Sequence, residues 1–305
     1  MNDRLTAPRA HFREILKAIP GLRPAKRIVL NVIRWIFQKT FLRKHFLIVD
    51  SFPIFAPVSA GFVKTRAQLT ILAANQVFPF LVCLIGETKK DDLLGVIQAE
   101  SLCIGEDSIK AADRLERLFC QHGSDKASPH KYHYIYGSIL RNPGSITSML
   151  EIGLGTNNTD VVSNMGQMGR PGASLRAFRD FLPNAEIYGA DIDKRILFKE
   201  ERISTFFVDQ TDLNSFAELD ANVSKKFDLI IDDGLHSPNA NIAVLIFALT
   251  RLKRDGWLVI EDVNHDALPV WQVVAALLPG DFKPYIIEAR VHLVFAIQKQ
   301  CEVKE

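Results

Sequence analysis

Hydrophobic and polar positions follow a regular alternating plan in the second half of this chain, from about residue 145 onward. Short apolar-rich runs recur there, and segments with apolar residues at helical spacing separate most of them. Continuously apolar strands that alternate with helices predict a parallel sheet covered on both faces. The predicted strands are 147–152, 186–191, 203–208, 227–232 and 256–261, and the predicted helices are 173–182, 212–220 and 239–253.

The last two apolar runs, 283–290 and 292–299, follow each other with almost no connection. Such a short link predicts an antiparallel hairpin at the end of the sheet. The predicted fold class is therefore α/β: a Rossmann-like doubly wound sheet, mostly parallel, with a C-terminal antiparallel hairpin and an N-terminal auxiliary domain. We assign residues 1–105 to the auxiliary or oligomerisation region and residues 106–305 to the sheet domain.

The first 105 residues show no comparable alternation. Their apolar runs 45–63, 77–86 and 93–105 are interrupted by proline and glycine, and their periodicity fits strands and buried helices equally well. The segment 106–123 is clearer, because its apolar positions recur at helical spacing and Gly123 provides a stop signal.

Charge is unevenly distributed although the net charge of the 305 residues is only +2. Residues 1–45 contain eleven Lys or Arg and two acids, about +9, whereas the remainder is about −7. Around residues 24–48, cations alternate with large apolar side chains, and no window of this stretch reaches 18 apolar residues, so it should not span a bilayer. It could contact an anionic membrane surface peripherally, but an amphipathic helix packed on the protein or in a homo-oligomer is the favoured interpretation. The acidic remainder argues against nucleic acid as a partner.

The four cysteines are scattered, without a CxxC pair or Cys/His metal spacing. A disulfide scaffold or a zinc site is therefore not expected. The first thirty residues also lack the pattern of a secretory signal. These features predict a cytoplasmic protein, with peripheral membrane association as the open alternative.

Every predicted parallel strand ends in acidic residues, and ligands of open α/β sheets bind at this edge. An acidic edge repels a pyrophosphate, and "GLGTNN" lacks the third glycine of the dinucleotide motif. The edge suits a cationic nucleoside such as S-adenosylmethionine (SAM), whose ribose Asp191 could bind. Gly153 and Gly155 would let the backbone approach this ligand, although they could also form only a tight turn. The acids are Glu151, Asp191, Asp193, Asp209, Asp232, Asp233, Glu261 and Asp262.

A long loop, 156–172, follows these glycines where a helix would normally begin. Long loops at a ligand-binding edge are more often functional than passive. We therefore expect this segment to act as a lid or a substrate loop.

The stretch "IIDDGLHSPNAN" (230–241) adds a histidine to the acidic edge. Asp233, Glu261 and Asp262 should meet in one cleft, and three carboxylates cannot all remain ionised there without a cation. Oxygen ligands of this kind suit Mg²⁺ or Mn²⁺, and His236 would remain available as a base. The alternatives are that Asp233 or Ser237 only caps the following helix, and that His236 is an ordinary loop histidine.

Four strings in this chain resemble a known family: "LEIGLGTNN", "GRPGASLRAFRDFLPNAEIYGADID", "FDLIIDDGLH" and "LVIEDV". They are similar to class I SAM-dependent methyltransferases, and specifically to the Mg²⁺-dependent sugar O-methyltransferases of macrolide biosynthesis. The resemblance covers about residues 120–298, including 123–140, the segment that covers the cofactor in this group. Residues 1–105 do not visibly match.

The resemblance implies a role for each matching residue. Leu235 replaces the serine of the family's "DDGSH" string, at a position that is not a ligand. The implied metal ligands are Asp233, Glu261 and Asp262, and the implied general base is His236. The implied or predicted SAM-binding residues are Asp191 at the ribose, Glu151 and Gly153 at the methionine part, Asp209 near the adenine, and Gly155 and Asp232.

The expected activity is therefore methyl transfer from SAM to a hydroxyl of a sugar or a glycosylated natural product, with a divalent metal. One alternative is a related enzyme of the cephalosporin-hydroxylase-like group that acts on another acceptor. The other is a non-catalytic, membrane-associated SAM-binding protein, which a complete acidic edge with an adjacent base argues against.

Overall fold

The computed structural model describes residues 43–89 and 93–300. Contacts divide the chain into two compact units between Val77 and Phe78. Residues 43–51 are helical, and helix α1 (Val63–Thr88) follows. Most of the basic stretch predicted at residues 24–48 lies outside the described residues.

A sheet dominates the second unit. Its strands are β1 (Val96–Gln98), β2 (Ser148–Ile152), β3 (Glu186–Asp191), β4 (Lys199–Glu200), β5 (Ile203–Phe207), β6 (Phe227–Asp232), β7 (Leu252–Val263), β8 (Phe282–Glu288) and β9 (Leu293–Lys299). Their order in the sheet is β1-β8-β9-β7-β6-β2-β3-β5-β4, and the central pairs are parallel while β9 runs antiparallel to β7 and β8. The doubly wound plan, the parallel centre and the final hairpin are thus confirmed.

Helices cover both faces of this sheet. The predicted helices 106–123, 173–182, 212–220 and 239–253 all form, with bounds that shift by up to three residues. Gly123 ends the first of them in a left-handed conformation, as its stop signal predicted. The helices of this unit are α2 (Ala99–Leu102), α3 (Glu106–His122), α4 (His133–Ile139), α5 (Ala173–Phe181), α6 (Leu213–Val223), α7 (Pro238–Arg251) and α8 (Leu268–Leu277).

The central strands are buried on both faces, which explains why they read as apolar runs. Leu150 and Ile230 pack into the core on one face, whereas Met149 and Ile231 pack into the core on the other. Successive side chains of a strand point to opposite faces, so each strand contributes to both cores.

The N-terminal half differs from its predicted form in two respects. The run 77–86 is neither a strand nor a buried helix, because it belongs to α1 and its large apolar side chains, such as Phe80 and Leu84, are exposed. Strand β1 pairs in parallel with β8, so residues 96–98 are part of the sheet although the predicted boundary lies after residue 105. Assignment of the first region to oligomerisation stays a prediction.

Candidate active site

Two loops at the carboxyl edge of the sheet approach each other closely because of Gly153. This residue follows β2 with φ +93°, and a Cβ atom there would lie 2.1 Å from the carbonyl oxygen of Asp233. Only glycine permits such proximity. In return, the Asp233 amide donates to the carbonyl of Ile152 at 2.8 Å. The glycine turn and the acids after β6 are thus held side by side.

A cavity of about 610 Å³ opens at this edge. Its size lies within the range of small-molecule sites. Two tight glycine positions and several acids of the predicted site face it. The predicted residues that line the cavity are Gly153, Gly155, Asp191, Asp209, Asp233, His236 and Asp262.

Asp191 is the acid at the end of β3, and its side chain is held by the backbone. One carboxylate oxygen accepts from the Leu154 amide at 2.7 Å and the other from the Asp193 amide at 2.8 Å. Burial raises the pKa of Asp191, and these amide hydrogen bonds act in the opposite direction. Each oxygen retains a further lone pair, so the oriented carboxylate could accept ribose hydroxyls.

Asp209 follows β5 and is half-buried at the cavity wall. Its carboxylate accepts from the Thr211 amide at 2.8 Å and from the Thr211 hydroxyl at 2.7 Å. These contacts hold the turn that forms this part of the wall.

Asp232, in contrast, is fully buried and is not among the cavity-lining residues. Its two oxygens accept from Gln210 Nε2 at 2.6 Å and from Asn241 Nδ2 at 2.8 Å. Gln210 lines the cavity and accepts from the Leu235 amide at 2.8 Å. The Asp232 carboxylate thus supports Gln210 and the loop after β6, and its direct contact with the cofactor stays a prediction.

A lysine that the sequence analysis did not single out occupies the centre of the acidic cluster. The Lys126 ammonium is buried and donates to Asp233 Oδ2 at 2.6 Å and to Glu261 Oε2 at 2.5 Å. It also lies 3.1 Å from Glu151 Oε1. Burial opposes the charge of Lys126, but the three carboxylates outweigh it and hold the lysine pKa well above its ordinary value. Lys126 is therefore a permanent cation within this site.

Glu151 and Glu261 face this lysine and are not among the residues that line the cavity. Ser174 donates to Glu151 Oε2 at 2.7 Å, and the Tyr136 hydroxyl donates to Glu261 Oε1. Burial raises the pKa of both carboxyl groups. The Glu261 side chain is thus engaged by Lys126 and Tyr136 and stands apart from the other two predicted metal ligands.

Those two ligands, Asp233 and Asp262, converge on His236. The Nε2 atom of His236 lies 3.9 Å from Asp233 Oδ1 and 3.7 Å from Asp262 Oδ2, and all three potential ligand atoms lie within 4.8 Å of one another. Tyr132 donates to the other oxygen of Asp262 at 2.6 Å. The separations from His236 are too long for hydrogen bonds, so the three groups face a common point without pairing.

The backbone at this point is unusual. His236 has φ +55° and Asp262 has φ +52°, in the left-handed region that non-glycine residues rarely adopt. Such strain concentrates at functional sites. Helix capping does not account for Asp233, because Ser237 occupies the N-cap position of α7 and the Asp233 carboxylate accepts from Lys126.

The charges of this cluster fit a divalent cation. Three carboxylates, those of Glu151, Asp233 and Glu261, surround the ammonium of Lys126, and Asp262 adds a fourth carboxylate beside Asp233 and His236 without contacting that lysine. Asp233 and Asp262 present free oxygens to the same point, and hard carboxylate oxygens are the ligands that Mg²⁺ and Mn²⁺ prefer. The chemistry of these donor atoms therefore fits the predicted divalent metal.

The loop 156–172 folds over the cavity, as expected for a lid. Ser163 donates to the Gly234 carbonyl at 2.9 Å, and the Met165 amide donates to the Thr156 carbonyl at 2.8 Å. Met165 also lies directly against Gly155, where no Cβ atom would fit. The lid thus contacts the glycine turn on one side and the loop after β6 on the other.

Sequence reasoning missed the residues that support the site. Lys126, Tyr132 and Tyr136 lie in the segment 123–140, for which the sequence predicted only a covering role. Their contacts with Glu261 and Asp262 join residues more than a hundred positions apart. The only sequence signal for this group was a lysine close to aromatic residues in the segment 123–140. That signal did not reveal which acidic residues Lys126, Tyr132 and Tyr136 contact.

No family model matches this chain. It is 28% identical over 159 residues to the 8-demethyl-8-alpha-L-rhamnosyl tetracenomycin-C 2'-O-methyltransferase of Streptomyces olivaceus, covering 52% of this chain and 40% of that protein. It is 41% identical over 93 residues to the mycinamicin VI 2''-O-methyltransferase of Micromonospora griseorubida, covering 30% of this chain and 23% of that protein. The aligned part therefore spans less than half the length of these relatives.

Among solved structures, the chain is similar to MycE, a methyltransferase from the mycinamicin pathway whose structure contains Mg and SAH. The TM-score is 0.51 at 21% identity, over 63% of this chain and 54% of that one. This likeness confirms the methyltransferase-type fold. In sequence, part of the chain is thus similar to these two sugar O-methyltransferases, and in fold it is similar to MycE.

Proposed function

We propose that this protein is a SAM-dependent and divalent-metal-dependent O-methyltransferase that methylates a hydroxyl of a sugar or a glycosylated natural product. The observation that carries the proposal is the convergence of Asp233, His236 and Asp262 beside a cavity bounded by the glycine turn. A base next to two free carboxylate oxygens is the arrangement that deprotonation of an alcohol on a metal requires.

SAM, when bound, would supply the methyl group as a sulfonium. Asp191 would accept the ribose hydroxyls, since its carboxylate is held at the cavity wall by backbone amides. The turn at Gly153 and Gly155 allows the cofactor to approach the backbone.

Asp233 and Asp262 would hold the metal through the oxygens that face His236. When bound, a divalent cation would supply Lewis-acid chemistry that makes an acceptor hydroxyl more acidic. Lys126 neutralises part of the charge behind Asp233 and holds its Oδ2 atom, which leaves Oδ1 turned toward the cation site.

His236 would take the proton of the acceptor hydroxyl at Nε2, the nitrogen that faces both carboxylates. The imidazolium that forms would then be stabilised by Asp233 and Asp262. Ser163 and Met165 hold the lid against the site and would exclude water during transfer. A general base in this position typically contributes about 10²–10⁴-fold to the rate.

The proposal is tested by incubating the full chain with methyl-labelled SAM, Mg²⁺ and three probe acceptors. These are demethylmacrocin, mycinamicin VI and 8-demethyl-8-alpha-L-rhamnosyl-tetracenomycin C, and the products are analysed by mass spectrometry. We expect a labelled methyl group on the sugar of at least one probe, formed with Mg²⁺ and not in excess EDTA. Equal product formation in metal-free EDTA would overturn the metal role. Binding of SAM without methylation of any probe would overturn the assigned acceptor class.

A further inference from the structure

Helix α1 (Val63–Thr88) has a length and a composition that the methyltransferase function does not explain. Its segment 67–86 contains no charged residue over twenty positions. At 1.5 Å per residue this segment is about 30 Å long, the thickness of the hydrocarbon core of a bilayer. Only 6% of its most apolar 18-residue window is buried, so α1 is not the core helix of a globular unit.

The apolar side chains of α1 point in many directions. Leu69, Ile71, Leu72, Phe80 and Leu84 are all exposed. Successive residues of a helix are about 100° apart, so neighbours such as Ile71 and Leu72 lie on different sides. A helix that pairs with a second copy needs one apolar stripe, whereas a helix surrounded by lipid is apolar around its circumference.

Two polar side chains of the apolar segment bond to the backbone of α1 itself. Thr70 Oγ1 donates to the Arg66 carbonyl at 2.8 Å, and Asn75 Nδ2 donates to the Ile71 carbonyl at 3.0 Å. In hydrocarbon, a polar group without such a partner is costly. For Thr70 and Asn75, these bonds within the helix reduce that cost.

Charges are confined to the ends of the apolar segment. Lys64 and Arg66 precede it, and Glu87 follows it. Residues 1–45 add eleven basic side chains and two acids on the N-terminal side. Basic residues next to a membrane segment bind anionic lipid headgroups.

We propose that α1 is a membrane anchor, which inserts into the hydrocarbon of an anionic phospholipid bilayer while the basic N-terminal region binds its headgroups. This differs from the peripheral contact predicted through residues 24–48. That contact would be electrostatic and reversible by salt, whereas an inserted helix resists salt and alkali. The inference does not depend on the proposed methyltransferase function.

The test is flotation of the full chain with vesicles of equal parts phosphatidylcholine and phosphatidylglycerol, followed by washes in molar salt and alkaline carbonate. The variant carries Leu72→Arg and Leu81→Arg in α1. The matched control is Ile246→Arg, the same type of change at an exposed position of α7. Circular dichroism and thermal unfolding verify that all three proteins are folded.

We expect the wild type and the Ile246→Arg control to remain in the floating fraction after both washes. The double variant should be reduced there by at least about tenfold, because each arginine at a membrane-helix centre opposes insertion strongly. Release of the wild type by salt would overturn insertion in favour of surface binding. If the wild type does not float and instead forms a dimer that the Leu72→Arg and Leu81→Arg changes abolish, membrane insertion would be overturned. Helix α1 would then pair with a second copy of the chain. Equal flotation of all three proteins would show that α1 is not the anchor.

Discussion

Replacement of Lys126 by methionine should destabilise the fold strongly, because it removes one cation from a buried group of carboxylates. The ammonium lies within 3.1 Å of oxygens of Glu151, Asp233 and Glu261, and two of these partners are almost fully buried with it. Methionine retains the aliphatic length, so the lost quantity is mainly the charge. Removing one partner of a buried ion pair costs about 3–5 kcal/mol in the free energy of unfolding.

The loss should depend on pH in a defined direction. Burial already raises the pKa of Glu151 and Glu261, and Lys126 lowers both. In Lys126→Met the folded-state pKa values therefore rise further above the unfolded value of about 4.3. Between these values the folded state binds protons that the unfolded state has released, so stability falls as pH rises and is partly regained on acidification.

Urea unfolding at about pH 5 and about pH 8 measures this effect. Two of the three tryptophans, Trp257 in β7 and Trp271 in α8, lie in the sheet domain and report on its unfolding by fluorescence. The double variant Lys126→Met with Glu261→Gln serves as a control, because it removes one negative charge together with the positive one and should recover part of the loss. A loss below about 1 kcal/mol in the single variant, equal at both pH values, would refute the reasoning.

His236→Ala removes the proposed general base and should lower kcat by about 10²–10⁴-fold, while the affinities for SAM and metal measured by calorimetry are retained. A loss of metal affinity would instead identify the histidine as a metal ligand. Asp233→Asn and Asp262→Asn should weaken Mn²⁺ binding, measured by electron paramagnetic resonance, more than Glu261→Gln does, since the Glu261 carboxylate faces Lys126. An equal loss of Mn²⁺ binding in Glu261→Gln would identify Glu261 as a metal ligand, as the family resemblance implied. Asp191→Ala should weaken SAM binding by about 10–100-fold, because a charged hydrogen-bond acceptor for the ribose is lost. An unchanged dissociation constant for SAM would exclude the ribose contact.

The sheet was predictable because its strands are buried on both faces. Burial of alternate residues in two cores produces continuous apolar runs such as 227–232, and the connecting helices show the complementary period. The same reasoning could not predict helix α1, because a helix that is apolar around its whole circumference shows no helical period of apolar and polar residues. Its run 77–86 reads equally well as a buried strand.

The candidate site was predictable only as far as strand ends determine it. Parallel strands bring Asp233 and Asp262 to one edge, so their convergence follows from topology. The orientation of neighbouring acids does not follow. Asp232 turns into the protein toward Gln210, and Glu261 turns toward a lysine 135 positions away. Such partners depend on tertiary packing that no local pattern encodes.

The most direct test of this account is a crystal structure of the full chain with Mn²⁺ and SAH, in which anomalous scattering locates the metal. The account predicts one anomalous peak within coordination distance of both Asp233 and Asp262, next to SAH in the cavity beside Gly153. A cavity that holds SAH without a peak at these carboxylates, or a peak at Glu261 with Lys126 displaced, would contradict it.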